Sequence, residues 1–573
     1  MFSSDESRRR AVAIASKGYF PSELPPVFNT MSFGKNIENI ITEWRNQKVV
    51  NIEQEKIKAG KNKHRKSDAY VYKIASTEPE SLSKPKRQYE RRNLDIVHPV
   101  PQSFLIYEIS EHFRRLSKQI ATSSFSLDKA QIGEVYPRGI ATINFDAHKA
   151  KKDYIEHSSD WLVRTDISRF YPSIYTHSIS WALYGKEKVK SNIGKFRGSL
   201  GDRLDQLVRV GNRNQTIGIP IGPETSRLLA ECISASVDRY ISKNSELIGV
   251  DKADRLQDDW FIGAQTLPDS ERILSILVHA YREYNLEING SKTSIDHISS
   301  SQQQAWKGEL FAFLNATRSR LYGKTLNDFF DIVVRLQAEN PNDSVIPYVL
   351  AIIQNRRFRH KDIVHVESFL LRAAVIAPAS MGLIALTLIN LQHYTGEVSK
   401  KRLKERVLVL AENNLEKGNA YEAMWQLYTL RGLKISFKSN VFSDYMSTHK
   451  GSVLPLLLCD MKSKNLFHSA LPYDKWEDML TPDRVMSDWS WLLGYEGIRN
   501  GWLKDLHGVM KQPFFSVLHA NGIVFYDPSK NAPTLTSLKK KRFASKGVSL
   551  KQANQLIKEL RGLKSRIAMG EYF

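Results

Sequence analysis

The chain has 573 residues, too many for one compact core, and its 42% hydrophobic content is enough to fill more than one. Its formal net charge of +22 points to a polyanionic partner, with nucleic acid ahead of an anionic membrane surface. Cys232 and Cys459 form no CxxC pair, which excludes a disulfide framework and a cysteine zinc site and fits a reducing interior.

The opening MFSSDESRRRAVAIASKGYF has no basic region followed by a long apolar run, so no signal peptide is expected. Residues 1–100 read as a polar, basic extension leading into the next domain. Its two dense patches, KIKAGKNKHRK (residues 56–66) and KPKRQYERR (residues 84–92), suit either solvated faces or phosphate-backbone contact. From 101 to 320, helical spacing in FLIYEISEHFRRLSKQI alternates with strand-like WLVRTDI and RLQDDWFIGA, giving an α+β domain. Residues 321–573 turn to helix after helix, as in LNDFFDIVVRLQAE, ESFLLRAAVIA, RLKERVLVLAENNLEKG and AYEAMWQLYTLRGL, and read as a repeat-like helical domain. The uncharged run over residues 373–391 contains Pro378, Ser380 and Gly382, so it predicts two buried helices broken at Pro-Ala-Ser rather than a membrane span. A basic, helical stretch (residues 538–566) closes the chain.

Chemistry concentrates in DISRFYPSI (residues 166–174) and RLQDDWFIG. If the two strands lie side by side, Asp166 and Asp258 converge, and hard oxygen ligands from two strands bind Mg²⁺ together with substrate phosphates. The plainer reading makes Asp166 a helix cap and Asp258–Asp259 a solvent-facing turn. Between them, TIGIPIGPETSRLLAEC places Gly218 and Gly222 before a helix starting near Thr225, and LEINGSKTSI offers Lys292 after a glycine turn. Arg359 and His365 have the R-x5-H spacing of HEPN ribonucleases, against a crowd of other basic residues; the Gly-Lys-Thr at Gly323 lacks the first glycine of a phosphate loop.

In this order the motifs resemble those of a reverse transcriptase. DISRFYPSI resembles motif A, IGPETSRLLAE motif B, QDD the YxDD of motif C, and LEINGSKTSI motif D. YTHSISWALYGK (residues 175–186) resembles a narrower group, the bacterial abortive-infection (Abi) and unknown-group reverse transcriptases of phage defence. The resemblance implies a right-hand fingers–palm followed by an all-α, HEAT-like domain. It makes Asp166, Asp258 and Asp259 the catalytic metal ligands for Mg²⁺, with Mn²⁺ as alternative, and places Ile167, Phe170, Tyr171, Gly222, Lys292, Arg91 and Arg92 around a dNTP. Tyr171 would crowd the sugar and exclude a 2′-hydroxyl, Lys292 would sit near the leaving pyrophosphate, and Arg227 would lie on the nucleic-acid track.

Three positions depart from the family pattern: Ile221 stands before Gly222 where Gln is common, Arg227 follows Ser226 where Pro is usual, and Leu256 opens motif C in place of Tyr. These leave metal chemistry intact and alter templating. The resemblance further implies a bacterial cytoplasmic protein with no membrane partner, a homo-oligomer, making DNA that is protein-primed or templated by a companion non-coding RNA. With 23 tyrosines and a terminal GEYF, a primer hydroxyl on the protein cannot be located from sequence. The alternatives are a retron-like enzyme with a partner RNA and a catalytically silent nucleic-acid-binding scaffold.

Overall fold

The computed structural model describes residues 2–54, 69–87, 90–128, 130–244, 246–300, 305–354 and 356–533. The basic patch at 56–66, Tyr89, the closing basic stretch and the terminal GEYF therefore lie outside the described residues.

The chain opens with helices α1 (Asp5–Lys17) and α2 (Ile37–Asn46). Two antiparallel ribbons follow: β1 (Asn51–Gln54) with β2 (Tyr70–Lys73), and β3 (Glu80–Arg87) with β4 (Glu90–Ile96). Helix α3 (Pro99–Glu111) starts at Pro99 and Pro101, where missing N–H groups cost nothing, and α4 (Phe145–His157) precedes the main sheet. That sheet contains β5 (Trp161–Thr165), β6 (Ala253–Leu256), β7 (Asp259–Ala264) and β8 (Ser294–His297), antiparallel in the order β6-β7-β5-β8.

Both faces of the sheet are covered. Leu162 and Phe261 meet Ile155 of α4 on one face, while Val163 and Ile262 face the main core on the other. Helices α5 (Glu224–Asn244) and α6 (Leu267–Arg282) belong to that core side, where the Trp260 indole donates to the Tyr281 hydroxyl at 2.7 Å. Period-two alternation thus decides which β5 side chain goes where.

Beyond residue 305 the named elements are all helical. They include α7 (Lys324–Glu339), α8 (Ile363–Ile376), α9 (Met381–Thr395), α10 (Lys400–Glu416), α11 (Ala420–Gly432) and α12 (Val453–Ser463), with α11 packed against α9, α10 and α12. The uncharged run breaks where expected: a 3₁₀ turn at Pro378–Ser380 separates α8 from α9. Among the described residues no helix is long and apolar enough to cross a membrane.

Helix α1 packs against α3, so buried contacts run across residue 100. Ile14, Tyr19, Phe33, Ile40, Ile41 and Trp44 are fully buried, so the segment from residue 2 to residue 50 contributes to the core as well as carrying exposed basic residues. They close against the far end of the chain: the Trp44 indole donates to the Phe514 carbonyl at 3.2 Å, and Asn29 N–H donates to the Phe525 carbonyl at 2.9 Å. The basic residues drew the sequence reading, but the apolar ones between them determine the packing. The β3–β4 ribbon is likewise anchored to the helical region. Arg91 forms a two-pronged pair with Glu422 at 2.8 Å, and the Glu80 carboxylate accepts from Val453 N–H at 3.2 Å, at the start of α12.

His148 ties α4 to the sheet. Its Nδ1 lies 2.9 Å from both Asp254 carboxylate oxygens, and Asp128 stands 3.6 Å from Nε2. Burial alone would lower its pKa, but the nearby carboxylates of Asp128 and Asp254 overcome this and raise it to about 9. A raised histidine stabilises the fold fully below its unfolded pKa of about 6.5 and loses that contribution as pH rises through about 9. His148→Gln should therefore cost about 2–3 kcal/mol at pH 6 and progressively less toward pH 10, read as a shrinking melting-temperature difference from the parent.

Candidate active site

Strand β5 ends at Thr165, which opposes Trp260, so Asp166 emerges beside the start of β7. Strands β6 and β7 pair Leu256 with Asp259, which makes Gln257–Asp258 a two-residue turn. Gln257 takes a left-handed φ of 57°, a conformation that costs a non-glycine residue energy and needs support. The result brings Asp258 against Asp166, as the side-by-side strand expectation requires.

Asp166 is buried, only 5% exposed. One of its oxygens accepts from the Lys292 ammonium; among the described residues no donor reaches the other, Oδ1. Burial raises the Asp258 carboxyl to about 7, helped by the negative charge of Asp166 and then Asp259. The two carboxyls can bond only while one proton is shared between them. Asp259, exposed on β7, stands at the rim and acts on the pair through its field. Among the described residues no three His, Cys, Asp or Glu side chains converge into a ready-made metal cage, so the expected three-carboxylate set is a close pair with an outlying third member.

Cations face the pair. Lys292 sits in a 3₁₀ turn (Gly290–Lys292) held in place by Asn289 N–H donating to the Asp166 carbonyl at 2.7 Å. Burial would lower the Lys292 pKa, but its bond to Asp166 holds it above the usual lysine value. Lys86, reaching in from β3, is held below that value by burial and by the charges of Lys292 and Arg92. These groups border a cleft of about 1050 Å³, with Arg164 on its wall and Asn342 of the helical region at its edge.

The remaining expected residues divide. Ile167 is buried and bridges Ile288, and Phe170 is buried edge-on against Tyr171 with ring centroids 5.4 Å apart. Tyr171 is half-buried, and its hydroxyl pKa is pushed up by burial and by Asp258, which places the ring beside the acidic pair. Arg92 lines the cleft, but Arg91 projects from the opposite face of β4 to Glu422, so the two adjacent arginines do not act together. Gly222 is not at the cleft either: a Cβ there would stand 2.6 Å from Pro21, so its glycine serves close packing, at a φ of 134°. Arg227 donates to Glu224 at 2.6 Å and to the Ala141 carbonyl at 3.0 Å, beside Gln257 and Glu231 on the wall of a small cavity. Arg359 lies 3.5 Å over the Tyr322 ring, and among the described residues no hydrogen bond or ion pair joins it to His365.

Lys86 and Arg255 were not singled out by sequence. Arg255 is fully buried, paired with Asp238 and Glu231 of α5 at 2.7 Å each, and donates to the Gln257 carbonyl at 2.7 Å. It thereby supports the left-handed residue next to Asp258. The available signal was an arginine opening an otherwise strand-like RLQDDWFIG, which needs a carboxylate partner if buried. Arg255→Ala should leave two carboxylates unpaired and cost about 3–5 kcal/mol in denaturant unfolding, with Arg255→Lys recovering part of it.

No family model matches the chain, and no curated protein matches its sequence. Among solved structures, it aligns with telomerase from Candida albicans in complex with a fragment of telomeric RNA, at 10% identity and TM-score 0.26, over 73% of this chain and 66% of that one. It also aligns with apo telomerase from Candida tropicalis, at 11% identity and TM-score 0.29, over 78% and 76%. Alignments this loose carry no argument about fold or function, and the functional reading rests on the site.

Proposed function

We propose that the chain is a reverse-transcriptase-like polymerase that adds dNTPs to a primer hydroxyl. The observation that carries this reading is the meeting of Asp166 and Asp258 at the ends of adjacent antiparallel strands, flanked by half-buried Tyr171 and facing the cations of one cleft. The sheet order fits it as well, because the motif A strand lies between the motif C hairpin and the motif D strand.

The residues suit a divalent cation. Among the described residues Asp166 keeps a buried oxygen without a donor, and burial together with the charge of Asp166 holds Asp258 partly protonated, so Mg²⁺ or Mn²⁺ would satisfy both, with Asp259 at the rim. Such ions, when bound in pairs, stabilise the attacking and leaving oxygens of phosphoryl transfer. Lys292, Lys86 and Arg92 supply positive charge where triphosphate oxygens would lie, and Tyr171 supplies bulk against a ribose 2′-hydroxyl. By its resemblance to the abortive-infection group, the protein would work in the bacterial cytoplasm in phage defence, as an oligomer with a HEAT-like helical domain. Its DNA would be protein-primed or templated by a companion RNA.

Two observations favour the silent scaffold instead: Lys292 already neutralises Asp166, and the third carboxylate lies apart. The deciding experiment incubates purified protein with Mg²⁺ or Mn²⁺ and each labelled dNTP or rNTP, with and without copurified RNA, and follows products before and after protease. Incorporation of dNTPs that falls about a hundredfold or more in Asp166→Asn and Asp258→Asn is expected. Silence under every condition, with no metal-dependent shift in melting temperature, would establish the scaffold.

Tyr171→Ala should raise rNTP use relative to dNTP use by about tenfold or more. An unchanged ratio would remove Tyr171 as the gate and leave it as packing beside Asp258.

A further inference from the structure

We infer that the helical region carries a second nucleic-acid contact, a single-strand binding surface built from the loops at residues 317–324 and 356–362. Arg318, Arg320, Lys324, Arg357, Arg359 and Lys361 are all exposed there, and among the described residues none of them forms an ion pair. Six like charges on one small surface repel each other unless a polyanion covers them.

The loops are pinned to one another rather than merely adjacent. Arg356 donates to the Ser319 carbonyl at 2.6 Å, and Gly323 N–H donates to the buried Asp362 carboxylate at 2.9 Å. Arg318 and Ser319 hold left-handed φ values of 48° and 54°, which turn this segment sharply before Tyr322. The carboxylate that could have neutralised the patch is thus used inside it, and Glu397, also there, pairs with His360. The chemistry left outward is cationic with one aromatic platform.

That platform favours a single strand. The Arg359 guanidinium lies over the Tyr322 ring at 3.5 Å, and Tyr322 is 36% exposed, so a planar stacked surface is presented amid phosphate-binding charges. Duplex DNA, with its bases enclosed, could use the charges alone.

The surface is separate from the acidic cleft. Helix α7 begins at Lys324, and the loop after its far end borders the cleft through Asn342. A helix of 16 residues spans about 24 Å, which separates the two sites. This inference goes beyond the catalytic reading and stands without it, because binding is measured with EDTA present.

The test is fluorescence anisotropy of the full chain with a labelled 20-mer single strand, across a salt series. The patch variant is Arg320→Glu, Arg357→Glu and Lys361→Glu together; the charge-matched control is Lys400→Glu, Lys401→Glu and Lys404→Glu on exposed α10. A matching Gln set and melting curves separate local from global effects. We expect the patch variant to bind about tenfold or more weaker, with a log–log salt slope reduced by about two, while the control changes by less than about threefold. Tyr322→Ala should weaken single-strand binding and leave duplex binding unchanged. Equal losses in patch and control variants, or no loss in the patch variant, would overturn the inference.

Discussion

Two carboxylates forced together in a nearly buried place are the constraint around which this structure is arranged. Asp166 and Asp258 come from different strands, and their mutual repulsion, added to burial, drives Asp258 to about 7. Such crowding costs folding energy unless something positive accompanies it. Lys292 supplies part of that charge, and the donor-free oxygen of Asp166 marks where more is wanted. The surrounding sheet, the tight turn at Gln257 and the buried Arg255 network all serve to hold two like charges where they would not settle unaided.

Support for the pair reaches outward in layers. Arg255 links the acidic turn to α5 through two carboxylates, and His148 links α4 to β6 through Asp254. The β3–β4 ribbon brings Lys86 and Arg92 to the cleft because Arg91 and Glu80 anchor it to the helical region. The helical region is therefore part of what positions the basic wall of the cleft, in addition to being a separate surface. The N-terminal helices close the same body by packing on residues 514–527.

Much of the architecture was legible in the sequence. Alternating apolar residues gave β5 and β7, the paired acids gave the hairpin turn, Gly-Pro before Glu224 gave the start of α5, and Pro378 gave the break between α8 and α9. These signals are local, and local chemistry decides them. The burial of the apolar residues between the N-terminal charges was not legible, because the contacts that bury them lie nearly 500 positions away in sequence. Gly222 shows the same failure at one residue: its conformation was predictable, but its neighbour Pro21 was not.

What the sequence determined by itself was the inventory: which residues carry acid, base and bulk, in which order, and on strand or turn. Arg91 and Arg92 were expected together around a dNTP, and only the strand they share sends them to opposite faces. Only the tertiary structure decided that Asp259 stands at the rim, that Arg91 belongs to Glu422, and that Arg359 of one basic loop lies over Tyr322 of another. The reason is physical. Backbone preference and side-chain alternation act over a few residues, whereas electrostatic pairing and burial depend on distances in space that the fold alone sets.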